Sequence, residues 1–387
     1  RLKYSNKKIK NGLENNIFGF EIDKKQFEKC IHNLNLVAKK NGIQNVSWKI
    51  YNEDYLKSKT NIQFDFIVGN PPYITYSDLS KEERRFIKEK YETCRQGKFD
   101  YCYAFIEYSI KLLSNEGKIN LSGTESTGIY GKYAELYNKS NGEITMGDKS
   151  TAIYGLDDSI VENRGKITIG SNSTGLYSEG STSQGIKNSG IIETSGNDSV
   201  AISYKPDATL GAGVVVENTG TINLLGDRNT GIYATGTPGY TAKNSGTITL
   251  GDSATISSPN VGLYTDHNAV TLENTGTINS GKNTIGIYGY GVNKSGDLNV
   301  GDAAVGIYSQ NGNVNLTGGT ITTGTDEAVG VYTVGNSQVI TNNGTNFNFG
   351  DNSFGFVNVG SGNTIASNIS NVGLGNKDVY IYSNDTA

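Results

Sequence analysis

The stretch LLSNEGKINLSGTESTGIYG, residues 112–131, reads in two ways at once. Its first residues, Leu112 to Ile119, carry an amphipathic helix into an apolar strand. From Asn115 onward the same letters form one complete unit of a repeat, N-x-G-x-I-x-L-G-D-x-S-x-G-I-Y in outline, that recurs to the end of the chain. The chain therefore divides at Asn115–Ile119 into residues 1–114 and residues 115–387. Composition divides there too. Residues 1–114 hold 21 Lys+Arg against 14 Asp+Glu, a formal charge of +7, and only 5 of the 50 glycines. The remainder holds 13 against 24, a charge of −11. A basic head suits a polyanionic partner, whereas the acidic, Gly-rich remainder does not.

The repeat carries an aromatic column: Tyr130, Tyr154, Tyr177, Tyr204, Tyr233, Tyr264, Tyr288, Tyr308, Tyr332, then Phe356 and Tyr382. Its members lie 20 to 31 residues apart, the period of a stacked solenoid coil. A glycine column, Gly165, Gly190, Gly220, Gly246 and Gly276, recurs in Asn-x-Gly turns and predicts corners of positive φ. Each unit is expected to hold two short strands, such as Thr247–Leu250 and Val261–Tyr264. In Thr-Ile-Thr-Leu the side chains of Ile248 and Leu250 share one face, which a single unit cannot bury but a stack can. Stacked asparagines are expected to hydrogen-bond along the axis. About eleven coils at roughly 4.8 Å would make a rod on the order of 50 Å long. The fold class is thus mixed: an incomplete, Rossmann-like α/β part followed by an all-β parallel β-helix.

The Gly-Asp pairs at 147/148, 226/227, 251/252 and 301/302 fall about once per coil, too sparsely for calcium-binding coils, and no metal site is expected. His267, between Asp266 and Asn268, reads as a loop residue. The three cysteines, Cys30, Cys94 and Cys102, lack the close spacing of a zinc or redox pair and read as buried, reduced thiols.

In the first part, Ile17–Ile22, Val46–Tyr51 and Phe64–Val68 read as strands, and Lys24–Lys40, Lys81–Tyr91 and Tyr101–Leu113 as helices. Asp23 is placed to cap the first of these helices, and His32 is an ordinary helix residue. Alternating strands and helices imply an open α/β sheet with its ligands at the carboxyl ends of the strands. Glu21, Asp54 and the Asn70-Pro71-Pro72-Tyr73 loop all fall there.

These residues, over roughly 15–119, resemble the N6-adenine DNA methyltransferases of restriction-modification systems, in particular the TaqI-like branch. The resemblance implies S-adenosylmethionine as cofactor and DNA as partner. It also implies that Asn70, Pro71, Pro72 and Tyr73 form the catalytic loop. An adenine amine is a poor nucleophile because its lone pair is delocalised into the ring. Hydrogen bonds to the Asn70 side-chain oxygen and the Pro71 carbonyl would draw it towards tetrahedral geometry, in line with the sulfonium methyl. Tyr73 would stack on the extruded base. By the same resemblance Glu21 would bind the cofactor ribose and Asp54 its adenine amine, with Tyr55 flanking and Phe105 packing beside cofactor or base.

The family's glycine-rich cofactor loop has no counterpart before Glu21, and its later strands and target-recognition domain have none after Ile119. The expectation is that this chain does not methylate DNA, and that its methyltransferase part is a truncated fragment.

The repeat resembles the passenger segments of type V autotransporter adhesins, which implies a right-handed β-helix and a host-cell or partner-cell surface as partner. Lack of cysteine after Cys102 fits export in an unfolded state. The first resemblance implies the cytoplasm and the second the cell surface. The chain opens on Arg1 with no signal peptide or apolar run of membrane-spanning length, and so reads as an internal fragment of two joined parents. A join of this kind predicts two halves that share no interface.

Overall fold

The computed structural model describes residues 5–384 apart from 70, 73, 96, 122, 181–184, 208–213, 238 and 369–370, and the backbone but not the side chains of 114–120. Two compact units result. One comprises residues up to Gln63 together with Pro71–Leu112; the other comprises Phe64–Asn70 and everything from Leu113 onward.

The first unit runs α1 (Asn6–Asn16), β1 (Phe18–Phe20), α2 (Lys24–Lys40), β2 (Lys49–Tyr51), α3 (Lys81–Lys90) and α4 (Tyr101–Leu112). Its helix starts follow from side-chain caps. Asp23 accepts from the Gln26 N–H at 2.9 Å, and Ser80 and Glu83 form a capping box at the head of α3. β1 and β2 pair in parallel, Phe18 to Lys49 and Phe20 to Tyr51. A small core of Leu56, Leu79, Ile87, Tyr91, Cys94, Phe99 and Ala104 packs α3 and α4 against a 3-10 turn at Tyr55–Lys57. Cys94 is buried, whereas Cys30 and Cys102 are only half-buried; all three are free thiols.

β3 (Phe64–Val68) is in neither the β1–β2 sheet nor the first unit. It pairs in parallel with β4 (Leu113–Leu121), placing Phe66 opposite Lys118 and Ile67 opposite Ile119. On its other edge β4 pairs with Glu143–Met146 of the next coil. The expected absence of contact across the seam therefore does not hold for this strand. The physical reason is that a strand has two edges. β4 meets an α/β neighbour on one and a solenoid neighbour on the other, both in the parallel sense.

Beyond β4 the chain is a parallel β-helix with three sheets, not two. One coil reads Thr247–Leu250, then Val261–Tyr264, then Thr271–Asn274, and each strand stacks only on its counterparts above and below. We call the three sheets the Thr-Ile, Tyr and Asn sheets. The Asn-sheet strands are the ones the sequence reading lacks. Eleven Tyr-sheet strands are stacked among the described residues, about 48 Å of solenoid at ~4.8 Å per rung. The interior is a column of Ile144, Ile167, Ile192, Ile222, Ile248 and Ile278, continued by Leu298 and Ile321. All are at most 3% exposed, so each contributes about 1.5–3 kcal/mol of burial. No helix among the described residues is long and apolar enough to cross a membrane.

The asparagine ladder is present and fully buried. The Nδ2 of Asn138, Asn163, Asn188, Asn218 and Asn244 each donates to the Oδ1 of the next member, ending at Asn274, over 2.7–2.8 Å. The next position on the ladder is Lys294.

The tyrosine column is interrupted twice. Register puts Ser203, not Tyr204, between Tyr177 and Tyr233, and Val357, not Phe356, between Tyr332 and Tyr382. Tyr204 and Phe356 face inward, 0% and 1% exposed, because a slip of one residue along a strand reverses the face.

The corner glycines also differ from expectation. Gly165, Gly190, Gly220, Gly246 and Gly276 do not have positive φ. What excludes a side chain is backbone stacked on backbone: a Cβ on Gly246 would lie 2.1 Å from the Gly220 carbonyl oxygen. Left-handed backbone falls instead on non-glycine residues of another corner, such as Lys149, Arg228 and Ala303. Gly246→Ala is therefore expected to destabilise the solenoid by about 3 kcal/mol through overpacking. A thermal midpoint equal to that of wild type would show that the corner can yield.

Candidate functional site

The carboxyl ends of β1 and β2 carry the acidic residues singled out from the sequence. The Glu21 N–H donates to the Tyr51 carbonyl at 3.0 Å, which continues the ladder by one residue and fixes the backbone of the strand end. The Asn52 amide then donates to the carbonyls of Glu21 and Ile22, at 2.8 and 3.1 Å. The Glu21 carboxylate, half-buried, accepts the Asp23 N–H at 2.9 Å through one oxygen. Asp54 caps the 3-10 turn, accepting from Leu56 N–H at 3.0 Å, and its other oxygen faces the Lys57 ammonium at 3.4 Å. Both carboxylates are thus held at strand ends by their own turns.

An aromatic cluster adjoins them. Tyr55 lies 5.6 Å from Phe105, ring centre to ring centre, 5.4 Å from Phe20 and 5.0 Å from Tyr108. Its hydroxyl is within 3.0 Å of Ser109 Oγ, and burial pushes its ionisation above the usual tyrosine range. The structure therefore brings together Tyr55 and Phe105, two of the residues predicted to flank a cofactor. Phe20 and Tyr108 complete the cluster and were not anticipated. Phe20 had a signal, since it directly precedes Glu21 in the apolar run; Tyr108, one of several aromatics on α4, had none.

In the predicted catalytic loop, Asn70 and Tyr73 lie outside the described residues. Pro71 is half-buried and Pro72 exposed. The loop's exit is tied to the head of α4, where the Tyr101 N–H donates to the Ile74 carbonyl at 2.9 Å.

In the solenoid the Gly-Asp aspartates have a structural task. Asp148 Oδ1 accepts from Ser171 N–H at 2.7 Å, Asp252 Oδ1 from Lys282 N–H at 2.8 Å, and Asp302 Oδ1 from Thr325 N–H at 2.7 Å. Each carboxylate satisfies a corner donor of the following coil. No cluster of three or more His, Cys, Asp or Glu suited to a metal occurs among the described residues.

Comparison with known proteins divides the chain in the same region. Residues 5–149 match the family model of the Eco57I restriction-modification methylase, and residues 109–295 match that of the BigA third pectate lyase-like domain. Among curated proteins, the type II methyltransferase M.BstVI of Geobacillus stearothermophilus is 29% identical over 119 residues, which cover 28% of this chain and 21% of that protein. The type II restriction enzyme and methyltransferase RM.Eco57I of Escherichia coli is 43% identical over 61 residues, covering 15% of this chain and 6% of that protein. The chain thus spans about a fifth or less of the curated relatives it matches. The two family matches overlap across residues 109–149, around β4, which supports a chimera of a restriction-modification methylase part and an adhesin-like β-helix.

Proposed function

We propose that the N-terminal part derives from a site-specific DNA adenine-N6 methyltransferase and transfers no methyl group in this chain. The solenoid, on this reading, is a repeat segment of a surface adhesin. In the parent methyltransferase Glu21, Asp54, Tyr55 and Phe105 would hold S-adenosylmethionine, and Asn70 to Tyr73 would present the adenine of bound DNA. The adhesin parent would display the solenoid at the cell surface, where its partner would be another cell's surface.

The observation that carries the inactive reading is sheet membership. β1 and β2, whose ends bear Glu21 and Asp54, form a sheet of their own, while β3, which leads into Asn70-Pro71-Pro72-Tyr73, is a strand of the solenoid's Thr-Ile sheet. In-line transfer needs donor and acceptor held within a few tenths of an ångström of the reacting geometry, and one continuous sheet is what supplies that precision.

Titration calorimetry of the full chain with S-adenosylmethionine, together with transfer of labelled methyl groups to mixed-sequence DNA, tests the reading. The expected result is no saturable heat and no label in DNA. Micromolar binding accompanied by transfer would overturn it. The chimera is tested separately by single long genomic reads across codons 100–140, which should cross the seam without divergence if the fusion is carried in the genome.

A further inference from the structure

The outer face of the Tyr sheet changes character midway along the solenoid. The residue three places before each tyrosine is Thr127, Thr151 or Thr174 in the early coils, and Thr230 faces Val200 in the same rank. From the next coil the rank becomes Val261, Ile285, Val305 and Val329. The tyrosines beside it change as well. Early in the column the hydroxyls are engaged: Tyr154 and Tyr177 both donate to Glu179, and Tyr233 donates to Asp266 at 2.8 Å. Tyr264, Tyr288, Tyr308 and Tyr332 make no such bond among the described residues. Instead their rings form a ladder, with Tyr288–Tyr308 and Tyr308–Tyr332 stacked at 4.7 and 5.4 Å and within 7° of parallel. A loop insertion before Val261 supplies a wall, and Ile256, Ser257 and Pro259 line a cavity of about 470 Å³ with these two ranks.

We propose that this groove is a binding site for a neutral, elongated, flat aromatic molecule lying along the solenoid axis. Three features select that occupant. Among the described residues no charged side chain lines the groove, so burying an ionised ligand there would leave its charge uncompensated. The ring faces of Tyr288, Tyr308 and Tyr332 are turned towards one another, so this part of the ladder presents edges and hydroxyls. Ring edges carry positive charge and attract the π-face of a planar guest, while the free hydroxyls serve polar atoms at its rim. The size fits a small molecule, since pockets of ~300–1,000 Å³ hold such ligands. Four rungs of two ranks offer roughly 200 Å², far below the ~800 Å² per partner of a stable protein interface. The site does not depend on the adhesin reading.

Nile red, a neutral planar dye, is the probe. The full chain is expected to bind one dye per chain saturably with a blue-shifted emission. The double variant Ile285→Thr/Val305→Thr, which restores the residue type of the early coils, should weaken binding about tenfold or more. Tyr308→Ser should weaken it comparably, and Tyr130→Ser in the early coils should not. Equal affinity in wild type and both groove variants would overturn the assignment. A dimer in sedimentation velocity that Ile285→Thr/Val305→Thr dissociates would also overturn it, in favour of a second copy of this chain.

Discussion

Lys294→Asn is expected to stabilise the solenoid by several kcal/mol at pH 7, and the gain should shrink as the pH is raised. Lys294 occupies the position that follows Asn274 on the buried ladder and is 0% exposed. Its ammonium donates to the Gly318 carbonyl at 2.7 Å, which satisfies one of three donors. Burial pushes its pKa down to about 7, against a smaller opposing pull from Asp297. The folded pKa lies below the unfolded one, so between about pH 7 and 10.5 the unfolded chain binds the extra proton. Wild-type stability therefore rises with pH across that window and is flat on either side of it. A shift of that size corresponds to about 5 kcal/mol at full extent. The introduced amide has no proton to take up, and it can accept from Asn274 as each member from Asn163 to Asn274 accepts from its predecessor. Urea midpoints of both proteins from pH 6 to 11 measure the effect, and a gap that stays constant with pH would falsify the account.

Asn218→Asp should act in the opposite direction. Asn218 Nδ2 donates to Asn244 Oδ1 at 2.8 Å, to the Gly220 carbonyl at 3.2 Å and to the Thr247 carbonyl at 3.4 Å. The substitution places a carboxylate oxygen against those three acceptors, with no cation among its described partners. An uncompensated buried charge costs about 3–5 kcal/mol, which is the loss expected at pH 7. Protonation restores one donor, so the carboxyl pKa in the folded state must lie above its unfolded value of about 3.9. The variant is then least impaired below about pH 4 and loses stability as the pH rises through its folded pKa. Thermal midpoints at pH 4 and pH 7, each relative to wild type, give the comparison. A larger deficit at pH 4 would contradict the donor argument.

These two substitutions sit on the feature that sequence reading captured best in kind and worst in extent. Asparagine stacking was legible because Asn-x-Gly recurs once per coil. The strands that deliver those asparagines were not, because a four-residue run such as Thr241–Asn244 ends in a residue that ordinarily signals a turn. Its inward Asn244 breaks the rule that the buried alternate is apolar. α2 and β3 were legible to the residue, since a long 3.6-residue period and a wholly apolar run are strong signals. The aromatic letters at Tyr204 and Phe356 mislead because stacking aligns the coils on their buried residues, Ile202 on Leu176 and Phe356 itself on Val331. At the candidate cofactor site, Glu21 and Asp54 followed from strand ends, while the Tyr55–Tyr108 packing depends on how α4 docks and leaves no local trace.

β4 also sets an order of events. Its solenoid edge is joined to Glu143–Met146 across about one coil, Ile119 to Ile144, whereas its other edge waits for a partner half a hundred residues back, Phe64 to Leu113. Doubling a loop adds only about 0.6 kcal/mol of closure entropy, but a stack of coils grows by nearest neighbours and needs no such search. β3 is therefore expected to arrive late: the earliest strand of its sheet in sequence, it would close as a latch on coils already stacked.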